Sequence, residues 1–306
     1  MLSSSDHHFS GRDTLQILLG VSRASFLLLP LGVLFLTSCL TYLQLGELNY
    51  LRIALIFICG LSAHIAVNVL NEYQDFNSGL DLITQRTPFN GGSGTLPAFP
   101  NAAAMAFKFG LINLAICIGA GLYLAYLSGP ELIPFGIAGV ILIITYTPWI
   151  NHHPILCLIA PGLGFGLIMV PGAVLALGGS ADFPTWLAAG IVFFLVNNLL
   201  LLNQIPDTEP DKKTGRKTLP VVFGHQFSVI VAAIFYGAAF FLVLIGWNYS
   251  DWQNQQLFIF ILSPLAIFAI RHMFKNQQVN LMIPGLAANV ALNILFPIVF
   301  GLTLVI

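Results

Sequence analysis

The chain has 306 residues, 57% of them hydrophobic and only 8% charged, with a net charge of −1 and a mean hydropathy of +0.88. A soluble domain of this length would carry about a quarter charged residues, so the composition excludes one and indicates an integral membrane protein. It also leaves no basic surface for a nucleic-acid partner.

Residues 1–14 are polar and read as a disordered tail, and 15–306 read as a single transmembrane domain. Apolar stretches near the roughly 20 residues that span a bilayer fall at about 17–43, 51–75, 101–127, 131–149, 154–178, 184–205, 226–248, 254–274 and 280–306. The first is too long for a cleaved signal peptide. The expected fold class is an all-α, multi-pass bundle of nine transmembrane helices. With nine crossings, Arg12, Arg23, Arg86, Lys108, Lys212, Lys213, Arg216, Lys217, Arg271 and Lys275 fall on the side of the N-terminus, and only Arg52 falls on the other. That excess marks the N-terminal face as cytoplasmic. All four cysteines lie inside predicted helices without a CxxC pair, and they read as buried thiols that fill space.

Two acid clusters end long apolar stretches on that same face. The first is Asn71-Glu72-Tyr73-Gln74-Asp75, followed by Asp81, and the second is Asn203-Gln204-Ile205-Pro206-Asp207, followed by Asp211. Each has an Asn one turn before an Asp, and the two lie four predicted helices apart, which suggests a diverged parallel repeat. The longest loops, 76–100 and 206–225, follow these clusters and are rich in Gly and Pro. Their place beside the acids favours a lid. Pro206 and Pro210 should end the sixth helix near Ile205 and leave Asp207 and Asp211 on a turn.

Upstream of Asp75, the residues His64, Asn68 and Asn71 share its helix face. Such a row makes interhelical hydrogen bonds or lines a water-accessible cavity, and its termination in an acid cluster favours the cavity. His64, the deepest, reads as a hydrogen-bonded core residue. Carboxylates and amides without nearby His or Cys suit Mg²⁺ or Mn²⁺. The bases Lys212, Lys213, Arg216 and Lys217 follow Asp211, and Arg86 follows Asp81. They either grip an anion or only set topology and touch anionic lipid. Acids and bases together fit a Mg²⁺-bridged diphosphate, and a diphosphate at the mouth of an apolar cavity implies an isoprenoid. The 25 Phe and 8 Tyr supply rings that could stabilise an allylic cation.

Asn-x-x-x-Asp (Asn71, Asp75) ending the second helix and Asp-x-x-x-Asp (Asp207, Asp211) after the sixth, with nine helices, resemble the UbiA superfamily of intramembrane prenyltransferases. The strings Asn68…Asn71…Asp75…Gly79-Leu80-Asp81 and Asn203…Asp207…Asp211…Gly215 are most similar to the branch that prenylates 1,4-dihydroxy-2-naphthoate in menaquinone biosynthesis. The resemblance implies a cavity opening at the cytoplasmic side, a prenyl diphosphate and a small aromatic acceptor. It places one Mg²⁺ on Asn71, Asp75 and Asp81 and another on Asp207 and Asp211. Asp75, Asp207 and Tyr146 would be catalytic. Asn68, Asn71, Arg23, Arg86, Asn203, Lys213 and Arg216 would bind substrate, with Arg86, Lys213 and Arg216 on the diphosphate and Arg23 near the acceptor. Glu72 stands where the branch usually has Asp, and the 87–94 segment departs from the branch pattern. Its glycines either offer N–H groups to phosphate or form a flexible lid. A terpene cyclase acting on prenyl diphosphate alone is the alternative within this fold, and a divalent-cation transporter is the alternative outside it.

Overall fold

The computed structural model describes residues 9–249 and 252–306, all of whose regular elements are helical. Among the described residues eight helices are long and apolar enough to cross a membrane: α2 (Ala24–Leu45), α3 (Tyr50–Asn77), α4 (Pro100–Ser128), α6 (Pro154–Leu177), α7 (Phe183–Gln204), α8 (His225–Tyr249), α9 (Asn254–Lys275) and α10 (Val279–Val305). Two shorter helices, α1 (Gly11–Val21) and α5 (Leu132–Thr145), join them, and the loops carry helical segments of four to six residues. The span expected over 131–149 is α5, whose 14 residues reach about 21 Å. Gly129-Pro130 precede α5, and Pro148 closes the chain's option of continuing it.

The tail expectation is corrected in part. Residues 1–8 lie outside the described residues, but Gly11 already opens α1, where Ser10 and Asp13 form a reciprocal capping box. The first predicted span, about 17–43, is broken in two. Ser22 ends α1, and Arg23 takes a left-handed conformation with φ 50° before α2 starts. A bulky residue holds that conformation only when its surroundings compensate.

The other helix starts follow local chemistry. Asn49 caps α3 through its side chain, and Asp182 caps α7 just before Pro184. Inside α6, Pro161 and Pro171 each lack an N–H, and the stretch between them, Leu163–Met169, widens into a π-helix.

Helix α7 lies at the centre: 72% of its most apolar stretch is buried, against 22% for α4. Leu187, Ile191 and Leu195 of α7 pack in one core with Phe296 and Phe300 of α10. Large apolar side chains such as Ile112, Leu122, Phe241 and Ile261 are exposed on the outer helices, where a bilayer would cover them. At Gly166 the π-helix touches α7 so closely that a Cβ would fall 2.5 Å from the Ala189 carbonyl oxygen. Gly166→Val should therefore cost about 1–3 kcal/mol, read as a lowered thermal midpoint of purified protein; an unchanged midpoint would refute the close packing.

Candidate active site

One cavity of about 400 Å³ runs through the bundle. Asp75 and Ile56, 19 residues apart on α3, both line it, so it extends roughly 28 Å along that helix. Its walls are mostly apolar, including Phe135, Val140, Phe165 and Ile168, and its acids gather at one end.

Both acid clusters meet at that end. Asp75 sits in the last turn of α3, and Asp81 opens a short helix, Leu80–Ile83, after Gly79. Helix α7 ends at Gln204, as the prolines require. Asp207 and Asp211, expected on a turn, instead lie at the cap and inside a short helix, Thr208–Lys213. Arg216 joins the two sets: its guanidinium pairs with Asp75 and lies 3.6 Å from Asp211 Oδ1. The 84–94 segment also crosses between them. Asn90 Nδ2 donates to Asp207 Oδ1 at 2.6 Å, and the Gly91 N–H donates to Oδ2 at 3.2 Å. Ser93 donates to Glu72 through its N–H at 2.7 Å and its hydroxyl at 2.8 Å. Gly92 must be glycine here, because a Cβ would sit 2.7 Å from the Asp81 carboxylate, and its φ is 72°.

The break at Arg23 turns its guanidinium into this mouth. Arg23 Nε donates to Glu72 Oε1 at 2.7 Å, Nη2 reaches Asn71 Oδ1 at 3.4 Å, and Asn68 Nδ2 holds the Ser22 carbonyl at 3.1 Å. Asn71 Nδ2 donates to Thr147 Oγ1 at 3.1 Å, tying α3 to the segment after α5.

Five buried or largely buried carboxylates, Glu72, Asp75, Asp81, Asp207 and Asp211, thus face two guanidiniums, Arg23 and Arg216. Burial pushes the Asp81 carboxyl up to about 7, helped by Glu72 and Asp75. It pushes Asp211 up to about 7 and Asp207 to about 6, with Arg216 opposing the first and Asn90 the second. Negative charge is in excess, and Asp81 Oδ2 and Asn203 Oδ1 are buried with no hydrogen-bond partner. This donor set fits a hard divalent cation. Among the described residues no three His, Cys, Asp or Glu side chains converge as a complete cage. Such an incomplete set suits a cation that keeps waters and takes further oxygens from a bound phosphate, as Mg²⁺ does.

Of the expected site residues, Arg23, Asn68, Asn71, Asp75, Asp81, Tyr146, Asn203, Asp207, Asp211 and Arg216 all line the cavity. Lys213 does not: it is exposed, on the side of its short helix opposite buried Asp211. Arg86 is also exposed, and donates to the Asp81 carbonyl at 2.6 Å. Glu72 and Asn90 take part although neither was expected to hold a site role. Glu72 was visible as an acid, but its orientation onto Arg23 needed the break in the first helix. Lys213→Ala should leave the rate within about threefold of wild type, whereas Arg216→Leu should lower it about 10²–10³-fold; equal losses would contradict this division.

An all-helical, multi-pass membrane protein with a long apolar cavity closed by acids is the class that fold and site define. Residues 31–281 match the model of the UbiA prenyltransferase family, so the chain belongs to that family and is a prenyltransferase. It is 27% identical over 287 residues to 1,4-dihydroxy-2-naphthoate octaprenyltransferase of Bacillus subtilis (strain 168), covering 92% of this chain and 88% of that one. It is 28% identical over 303 residues to the enzyme of the same name from Haemophilus influenzae, covering 93% and 94%. The expected likeness to the naphthoate branch holds. A UbiA homolog from Archaeoglobus fulgidus bound to DMAPP and Mg²⁺ shares the fold, with a TM-score of 0.64, 17% identity and coverage of 94% of this chain and 98% of that one.

Proposed function

We propose that the protein transfers a polyprenyl group from prenyl diphosphate to a small aromatic acceptor of the dihydroxynaphthoate kind, in a Mg²⁺-dependent reaction. The observation that carries this is Arg216 bridging Asp75 and Asp211 at the mouth of one long apolar cavity. The two naphthoate-prenylating relatives support the choice of acceptor.

Asn71, Asp75 and Asp81 would hold one Mg²⁺, and Asp207 and Asp211 the other; the same oxygens would also take Mn²⁺. Bound metal would neutralise the diphosphate and make it a leaving group. Arg216 then releases its carboxylates and turns to the diphosphate oxygens. Arg86 holds Asp81 in place through its carbonyl. The allylic C–O bond breaks with its electron pair staying on the diphosphate, the acceptor's ring carbon bonds to C1, and that carbon gives its proton to the released diphosphate. Apolar walls and the ring of Tyr146 keep water from the cation.

The ten-to-one excess of bases supports a cytoplasmic N-terminus and mouth in this reading, which takes α5 as a ninth crossing of a single transmembrane domain. The test is mass spectrometry of products from farnesyl diphosphate, Mg²⁺ and a panel of aromatic acids with reconstituted protein. A prenylated acid is expected. A hydrocarbon made without acceptor would establish cyclisation instead, and metal-driven vesicle uptake would establish transport.

A further inference from the structure

The polar stripe on α3 continues below the acids. His64 lies 11 residues before Asp75, roughly 16 Å deeper along the helix, and lines the same cavity. The residue is 8% exposed, and neither Nδ1 nor Nε2 has a hydrogen-bond partner. Phe165 of the π-helix stands edge-on to its ring, with centroids 5.4 Å apart. The expectation of a hydrogen-bonded core histidine is therefore not met.

Buried ring nitrogens without partners are costly and need an account. A prenyl chain, wholly hydrocarbon, offers them nothing, whereas an oxygenated acceptor does. Asn68, one turn nearer the mouth, has its amide nitrogen committed to the Ser22 carbonyl. Between Asn71 and His64 run two turns of α3, roughly 10 Å. That height accommodates a fused two-ring acid standing beneath the diphosphate, its reactive carbon upward. Gly60, one turn deeper, also lines the cavity and adds no side chain below His64.

We infer that His64 binds the acceptor, turning its ring from the enclosed position to hydrogen-bond a hydroxyl, carbonyl or carboxylate oxygen of the aromatic ring system on the wall of the reaction chamber. The inference rests on the transferase reading above. His64 makes the chamber selective for an oxygenated acceptor, while the prenyl tail follows the apolar wall formed by Phe135, Val140 and Ile168.

The test uses full-length protein in lipid nanodiscs with Mg²⁺, farnesyl diphosphate and 1,4-dihydroxy-2-naphthoate, comparing wild type with His64→Leu and His64→Gln. The leucine variant should raise the acceptor KM about tenfold, the loss of one good hydrogen bond. Its prenyl diphosphate KM should stay within about twofold of wild type, with a thermal midpoint no lower than wild type because the unpartnered nitrogens are gone. The glutamine variant, which keeps a donor and an acceptor, should recover most of the loss. His64→Ala replaces leucine if that variant does not fold. An unchanged acceptor KM, a parallel rise in both KM values, or a penalty that grows from geranyl to farnesyl diphosphate would overturn the assignment. Wild-type protein giving no acceptor-dependent product would overturn the transferase reading and this inference together. Wild-type transfer with an indifferent leucine variant would remove His64 alone.

Discussion

Asp75→Asn is expected to lower kcat/KM by at least about 10³-fold while the protein remains folded. The residue is 4% exposed, lines the cavity and pairs with Arg216. The amide keeps its shape and removes its charge. The loss corresponds to about 4 kcal/mol of transition-state stabilisation, the scale seen when a charge-stabilising group is removed from a dry site. The fold should survive because the cores around α7 contain none of the mouth acids, and because Asp211 still faces Arg216. Asp207→Asn should behave alike for the second cluster. The checks are steady-state kinetics beside a thermal melt, and activity within about tenfold of wild type in a folded variant would sink the assigned role.

Removal of divalent metal should abolish turnover, and added Mg²⁺ should restore it. Five carboxylates share the mouth with two guanidiniums; burial raises Asp81 and Asp211 to about 7 and Asp207 to about 6, with neighbouring carboxylates adding to the rise at Asp81 and Asp211. Raised carboxylates bind protons in the folded state that the unfolded chain has already released. Stability without metal should therefore fall as pH rises from the ordinary carboxylate range through about 7. Metal binds the ionised form and competes with those protons. Mg²⁺ should accordingly raise the thermal midpoint more at pH 8 than at pH 6, and half-activation should need more Mg²⁺ at the lower pH. A midpoint shift independent of pH would contradict the assignment of these carboxylates, and turnover that persists in EDTA would contradict metal dependence.

Much of this was legible because hydrophobic length and charge are one-dimensional signals. The spans on α3, α4, α6, α7, α8, α9 and α10 follow directly from apolar runs, and Pro206 correctly ends α7. The paired Asn-x-x-x-Asp motifs also led to the acids that now meet. Orientation was harder. Within Thr208–Lys213 the chain turns Asp211 inward and Lys213 outward, and a six-residue helix has too little periodicity to reveal which face is buried. The break at Arg23 was hidden inside a long apolar run, since a left-handed non-glycine residue has no compositional mark. The Asn90–Asp207 bond spans 117 residues, and no local pattern encodes such a partner. His64 was legible as a polar residue on the right face, but its lack of partners is a property of packing.

The central claim is that carboxylates from both halves of the bundle serve one diphosphate through metal. An experimental structure with Mn²⁺ and an unreactive prenyl thiodiphosphate, read by anomalous scattering, tests it most directly. The account predicts Mn²⁺ peaks at both Asp75/Asp81 and Asp207/Asp211, each touching oxygens of the same diphosphate, with Arg216 drawn off Asp75. Metal on one cluster alone, or a diphosphate bound away from both, would contradict it.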